Sequence, residues 1–407
     1  STVSPFTRNV PLVNRAGSAW RGAGRKSVSG TICLSAARLW GEIDIPDDAG
    51  KLKRQRRGAG HGRRQQPIVL HCGRCCPHRA TLQRWALEFE RRRRDAGGAG
   101  VLAQNIGRVK ISHNHIHHFR YTGVSTGWTW GYGATNVSDV LVEFNHIHDI
   151  LLGYLSDGGC VYTLGHQPRS AVRNNYCHDV QSYNYGGWGF YTDEGSRGIN
   201  FENNVASRTK CAGHHQHYGT DNVLQNNIYY DVDIGDVPTP GRPEVLMPGH
   251  CDAAIRASTH GRNLAKCADP TTSPDDPDCC CHPGCDQGKC SSFLFERNIV
   301  YAPKGANTSF VGSTWAGGLT NFSFNSNVYF FDGAPPGQKL FNFTDAQKFN
   351  ENFTEWQNHG KDAHSLVADP KFVSGAPTFA LDPASPAVVA EGFVPIDLSS
   401  VGPRPHN

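Results

Sequence analysis

Three carboxylates stand out by their company. Asp157 lies in "SDGGCVYTLGH" (156–166), and Asp193 and Glu194 sit side by side in "GWGFYTDEG" (187–195). Two similar stretches flank them, "GVSTGWTWGYG" (123–133) and "GHHQHYGTDN" (213–222), equally rich in rings and glycine. Two carboxyl groups across a glycosidic bond can hydrolyse it. One protonates the leaving oxygen, and the other attacks the sugar or activates water. Asp157, Asp193 and Glu194 are the candidates for these roles. Trp128, Trp130, Trp188 and Tyr191 suit stacking on the apolar faces of sugar rings. His214, His215, Gln216 and His217 offer hydrogen bonds to hydroxyls, or a means to orient a carboxylate. Imidazoles also bind metals. Adjacent His214 and His215 would point to opposite faces of a strand, however, so no metal and no cofactor are expected in this groove.

These stretches must be held by something that repeats. The phrase "NHIHH" at Asn114 returns as "NHIHD" at Asn145, "NYCHD" at Asn175, "NNVAS" at Asn203 and "NNIYYD" at Asn226, at intervals of 31, 30, 28 and 23 residues. It recurs as "RNIVY" at Arg297 and "SNVYF" at Ser326. Each unit holds short alternating strands and no helical period, so the expected fold is all-β, a right-handed parallel β-helix. Asn suits both a left-handed corner and an amide ladder running from coil to coil. The apolar residue two places on should face the core. The repeat histidines His115, His117, His146, His148 and His178 read as structural.

Aligning Tyr162-Thr163 with Tyr191-Thr192 sets one coil at 29 residues, Asp157 level with Gly186 and Asp193 level with Leu164. In fully extended chain the two acids would stand roughly 20 Å apart, against the roughly 5–9.5 Å that hydrolysis needs. Gly158-Gly159 must therefore bend the chain. A 28-residue spacing for the next coil puts Asp221 beside Asp193 and His214 beside Gly186.

The chain has 407 residues and a net charge of +4. Residues 51–100 hold 14 Lys+Arg against 3 Asp+Glu, a local +11, so the remainder nets −7. This tract lacks interleaved aromatics and reads as a solvated segment, with no nucleic-acid partner expected. Its one helix-like run is "ATLQRWALEFE". Three regions follow: an atypical basic region over 1–100, disordered or misjoined, that does not read as coils; a β-helix over 101–332, with a Cys-rich insertion at about 232–292; and an irregular capping segment over 333–407. No apolar run approaches the roughly 20 residues of a membrane span, and "STVSPFTRNV" has no signal-peptide pattern. Six of the 14 cysteines crowd between Cys267 and Cys290. Their spacing favours a disulfide-stapled loop, with a zinc site as the alternative. Sequons begin at Asn136, Asn307, Asn321, Asn342 and Asn352. Together with the cysteines they are compatible with a secreted, glycosylated, monomeric protein.

The stretches "GWTWGYG", "SDGGCVYTLG", "GWGFYTDEGS" and "HHQHYG", followed by "HSLVADPKF" and "SPAVVAEGFVPIDLSSVGPR", resemble β-helix proteins of the pectin-lyase-like superfamily, most closely glycoside hydrolase family 141. The resemblance covers about residues 100–407 without the insertion. It implies hydrolysis of a plant or algal polysaccharide or its side chains, as an α-L-fucosidase or xylanase, by a pair of aspartates. Asp157 in "SDGG" and Asp193 in "YTDEG" match the acid-bearing motifs. Family members carry more N-terminal coils, which implies a groove with fewer walls here. The same architecture serves polysaccharide lyases and uronate epimerases, and non-catalytic glycan-binding solenoids. The groove stretches contain no Lys, with Arg197 the nearest Arg, which disfavours an acidic substrate.

Overall fold

The computed structural model describes residues 98–130, 135–217, 219–232, 293–303, 309–314, 322–343, 349–373 and 379–404, together with the strand backbones of 32–34, 41–46, 52–57, 68–71, 80–83, 86–88 and 253–258. The chain coils, and each coil lays one strand in each of three long sheets. One coil, for example, gives Gly159–Leu164 to the first sheet, His166–Arg173 to the second and Tyr176–Val180 to the third. From Ile68 to Phe331 successive coils pair in parallel. The fold is a parallel β-helix.

Alternation along each strand decides what lies inside. On the third sheet Ile116, Ile147, Cys177, Ala206, Tyr229, Val300 and Tyr329 stand in register, and all are fully buried. Ile116, Ile147 and Cys177 are the inward residues expected two places after Asn114, Asn145 and Asn175; after Asn203 and Asn226 the expected Val205 and Ile228 lie on the other face, buried with Phe393, and the inward residues are one place later, Ala206 and Tyr229. Cys160 and Cys177 join the first and third sheets by a disulfide inside the coil.

The asparagine ladder is present, with a division of labour that the repeat phrase hides. Asn114, Asn145, Asn175, Asn204, Asn227, Asn298 and Asn327 are buried. Each side-chain amide donates to the side-chain oxygen of the next, at 2.7–3.3 Å. The left-handed conformation belongs instead to the residue before each rung: His113, Phe144, Asn174, Asn203, Asn226, Arg297 and Ser326, with φ between 50° and 56°. The double asparagines at 203–204 and 226–227 therefore fill both jobs, and elsewhere the corner tolerates other residues. The ladder ends on Asp362, which accepts from Asn327 Nδ2 at 2.9 Å.

Three expectations change. The helix-like run "ATLQRWALEFE" forms strands, Ala80–Gln83 and Ala86–Glu88, because pairing with the following coil outweighs local propensity. Strands Ile68–His71, Ala80–Gln83 and Ala86–Glu88 pair in parallel with Val101–Gln104, Val109–Ser112 and His115–Phe119, so coil geometry begins before residue 101. Inside the expected insertion, Ala253–Ser258 supplies a first-sheet strand between His214–Gln216 and Ser309–Thr314. The cysteines from Cys267 to Cys290 and the sequons at Asn307 and Asn321 lie outside the described residues.

Among the described residues the helices are Phe353–Gln357 and Pro386–Val389, both in the last part of the chain. Trp356 is fully buried and stacks on Phe341 over the final coil. The chain then returns along the third sheet. Phe372 and Phe379 pack on Tyr230 and Tyr301, Asn226 and Val394 exchange hydrogen bonds, and Gly402 bonds to Phe144. None of the described helices is long and apolar enough to cross a membrane.

Candidate active site

The four ring-rich stretches become neighbours on the first sheet. Val124–Gly127, Gly159–Leu164, Trp188–Thr192 and His214–Gln216 lie side by side. Tyr162 pairs with Tyr191, as the 29-residue coil requires, and Tyr191 pairs with His215. The second spacing is thus 24 residues and not 28. This is the same short coil that brings the asparagine rungs 204 and 227 together at a separation of 23. Ser125, Tyr162, Tyr191 and His215 form one outward column. Two positions on, Asp193 and His217 extend past the strand ends, held by bonds from Asp193 N to Thr163 O and from His217 N to Thr192 O.

Asp157 and Asp193 meet. The Tyr191 phenol oxygen is 3.1 Å from Asp157 Oδ1 and 2.7 Å from Asp193 Oδ1. Those two contacts confine the carboxylate oxygens to within about 6 Å of each other, in the range for two acids acting on one bond. The roughly 20 Å of the extended chain is avoided at the turn before the strand. Asp157 is left-handed at φ 61°, and it packs on Gly186, where a Cβ would sit 2.9 Å from Asp157 N. The backbone reverses there and returns the side chain over the sheet.

The two carboxyls differ in what surrounds them. Asp193 is buried, which alone would raise its pKa. His217 Nδ1 at 2.9 Å, the His217 charge, and the Tyr162 and Tyr191 phenols more than offset this, so its carboxyl is held below the ordinary value. Asp157 is pushed up to about 6 by burial and then by the negative charge of Asp193. A phenol has one proton, so Tyr191 can donate to only one of its two carboxylate neighbours. Below about pH 6, where Asp157 holds its proton and Asp193 is ionised, Tyr191 donates to Asp193 and accepts from Asp157. Tyr185 also hydrogen-bonds Asp157. Below about pH 6 the site therefore holds one acid and one carboxylate, joined by a phenol.

The rings divide into packing and exposed surface. Trp188 and Tyr191 are nearly buried, lie 4.2 Å apart, and Trp188 stacks on His215 at 4.3 Å. They form the wall behind the acids and are not open platforms. The buried Trp188 indole N–H has no acceptor among the described residues. Trp128 stacks on Tyr162 at 5.6 Å and is half-buried, and Trp130 is 61% exposed. These two are the tryptophans of this face that solvent reaches. His214 turns inward against Phe201, and Gln216 is buried and bonded to Gly219 O and Asn222, so both leave the substrate-facing set. His215 and His217 share the outer face, as alternation demands. The Glu194 carbonyl accepts from Gly165 N–H at 3.0 Å, and Glu194 takes no part in the bonds linking Asp157 to Asp193. Arg197 pairs with Asp221 on the second sheet.

Tyr162, which bonds Asp193, and Tyr185, which bonds Asp157, were not among the site residues expected from the sequence. Tyr162 was legible as the coil neighbour of Tyr191. Tyr185 lies in a connecting loop, where no register predicts what it reaches.

The family described as "Right handed beta helix region" matches residues 84–229, which span the Asp157–Asp193 cluster, and the coil is right-handed. No curated protein matches the chain. A solved structure titled "Glycoside hydrolase" is 28% identical over 32% of this chain and 22% of its own, with a TM-score of 0.27, an overlap too small to carry an assignment.

Proposed function

We propose that the protein is a glycoside hydrolase that acts on a polysaccharide or its side chains with retention of anomeric configuration. The observation that carries this reading is the pair Asp157 and Asp193, bridged by one phenol and split into an acid and a carboxylate. In the first step Asp157 gives its proton to the glycosidic oxygen as the C–O bond breaks, and Asp193 Oδ forms the new bond to the anomeric carbon. In the second, Asp157 takes a proton from water, whose oxygen displaces Asp193 and regenerates both groups. His217 and Tyr162 keep Asp193 ionised and aligned. Trp128 and Trp130 hold the sugar. A separation of no more than about 6 Å fits the roughly 5–5.5 Å of retaining enzymes and falls short of the roughly 6.5–9.5 Å of inverting ones.

The test is a panel of xylans and fucosylated oligosaccharides, read for reducing ends and, by proton NMR, for the first anomer released. Retained anomer from wild type, lost in Asp157→Asn and Asp193→Asn, supports the proposal. Inverted product overturns the nucleophile role of Asp193. An unsaturated uronate product would make the protein a lyase, and glycan binding without cleavage would make it a binding module.

A further inference from the structure

The third sheet carries a second concentration of reactive side chains, away from the groove strands. His115–Phe119, His146–Ile150 and Tyr176–Val180 stack in register, giving one outward column of His115, His146 and Tyr176 and a second of His117, His148 and His178. All are half-buried. Ring stacking at 4.7–5.0 Å accounts for the columns, but not for contacts on the diagonal. His115 Nε2 lies 2.7 Å from His148 Nε2, and His146 Nε2 lies 2.8 Å from His178 Nε2.

Neighbouring carboxylates set which ring accepts. His148 Nδ1 is 2.6 Å from Asp149 Oδ2, and His178 Nδ1 is 2.5 Å from Asp179 Oδ2. An ionised carboxylate only accepts, so both Nδ1 atoms carry protons, and in the neutral ring Nε2 presents a lone pair. This is the carboxylate–imidazole arrangement that orients histidine ligands of metals. One ligand nitrogen from each of His115, His146 and His148 falls within 4.8 Å of the other two. An ion bound at about 2.0–2.1 Å needs them near 3.3 Å, a closure that small ring rotations supply.

We propose that His115, His146 and His148 form a binding site for a divalent transition metal of the zinc, nickel or copper class, clipping two adjacent coils. The donors are imidazole nitrogens, which suit these ions and not calcium or magnesium. His115 and His146 enter by moving the ring proton to the other nitrogen, so no net proton is lost. Asp149 is a positioning residue.

The experiment uses the full chain, stripped with chelator and thiol-alkylated so that the cysteines cannot compete. Zinc chloride is titrated by calorimetry, and cobalt(II) is followed by its visible spectrum. Wild type should take up one zinc equivalent with a rise in Tm, and cobalt should give the strong bands of nitrogen ligation in a four-coordinate site. His115→Gln and His148→Gln should each weaken binding by at least about 100-fold, and Asp149→Asn by about 10- to 100-fold, each with the metal-free Tm measured alongside. His364→Gln, in the returning C-terminal segment, should bind as wild type. Absence of a wild-type zinc equivalent, or unchanged binding in folded His148→Gln, overturns the proposal.

Discussion

Two buried aspartates, one beside the middle strands of the first sheet and one in the cap, accept nearly the same kinds of hydrogen bond and titrate in opposite directions. Asp362, in the cap, takes bonds from Asn327, Ser365, Tyr329 and Trp356, and burial still holds its carboxyl above the ordinary value. Asp193, in the groove, takes bonds from two tyrosines and His217, and its carboxyl is held below. The phenols are common to both, and the imidazole is not. Of the partners bonded to these two carboxyls, only His217 at Asp193 is an imidazole, and its bond and charge are the main causes that hold Asp193 down against desolvation. One arrangement closes a ladder of amides; the other holds a carboxylate beside Asp157 through a shared phenol.

The largest expected contrast comes from removing each charge. Asp193→Asn should lower kcat by about a thousandfold or more, some 4 kcal/mol of barrier, and leave thermal stability close to wild type. Its amide oxygen, in the place of Oδ1, still accepts from Tyr191 and His217, and its NH2, in the place of Oδ2, donates to the Tyr162 hydroxyl. Equal loss of both activity and stability would make Asp193 a second structural cap. The reciprocal change is Asp362→Ala. It strands four buried donors, each costing roughly 1–3 kcal/mol when unsatisfied, so urea unfolding should show a loss of at least about 3 kcal/mol. Activity per folded molecule should be unchanged. A specific loss of kcat without a shift in the urea midpoint would break the comparison from the other side.

The two regions also differ in how well the sequence displays them. The asparagine ladder repeats and was legible, because one side chain must meet its copy a coil later. The phase of Tyr162 and Tyr191 was legible for the same reason. The meeting of Asp157 with Asp193 was not, since it depends on a left-handed residue outside any strand and on space left by Gly186. Nor was the short coil that sets His217 beside Asp193, because the loss of residues falls between motifs. Asp362 was invisible altogether: it occurs once, in a segment with no period. Repetition encodes the frame, while single events encode the site and the cap.

The finest test of the contrast is to take away the imidazole alone. For Asp193 the folded pKa is depressed, so its contribution to stability is present above the unfolded value near 3.9 and is lost as pH falls through the folded value. For Asp362 the folded pKa is raised, so its contribution is present below that unfolded value and is lost as pH rises through the folded one. Activity follows the groove pair: kcat/KM should rise as Asp193 ionises and fall as Asp157 loses its proton near about 6. His217→Gln leaves Asp193 with hydroxyl and amide donors, as at Asp362. The acid limb should then move up by about one pH unit, close to 1.4 kcal/mol. The alkaline limb should rise slightly, because His217 also lowers Asp157. An acid limb that stays in place would mean that the two phenols, and not the imidazole, hold Asp193 ionised, and the distinction between the two aspartates would then have to rest on their geometry alone.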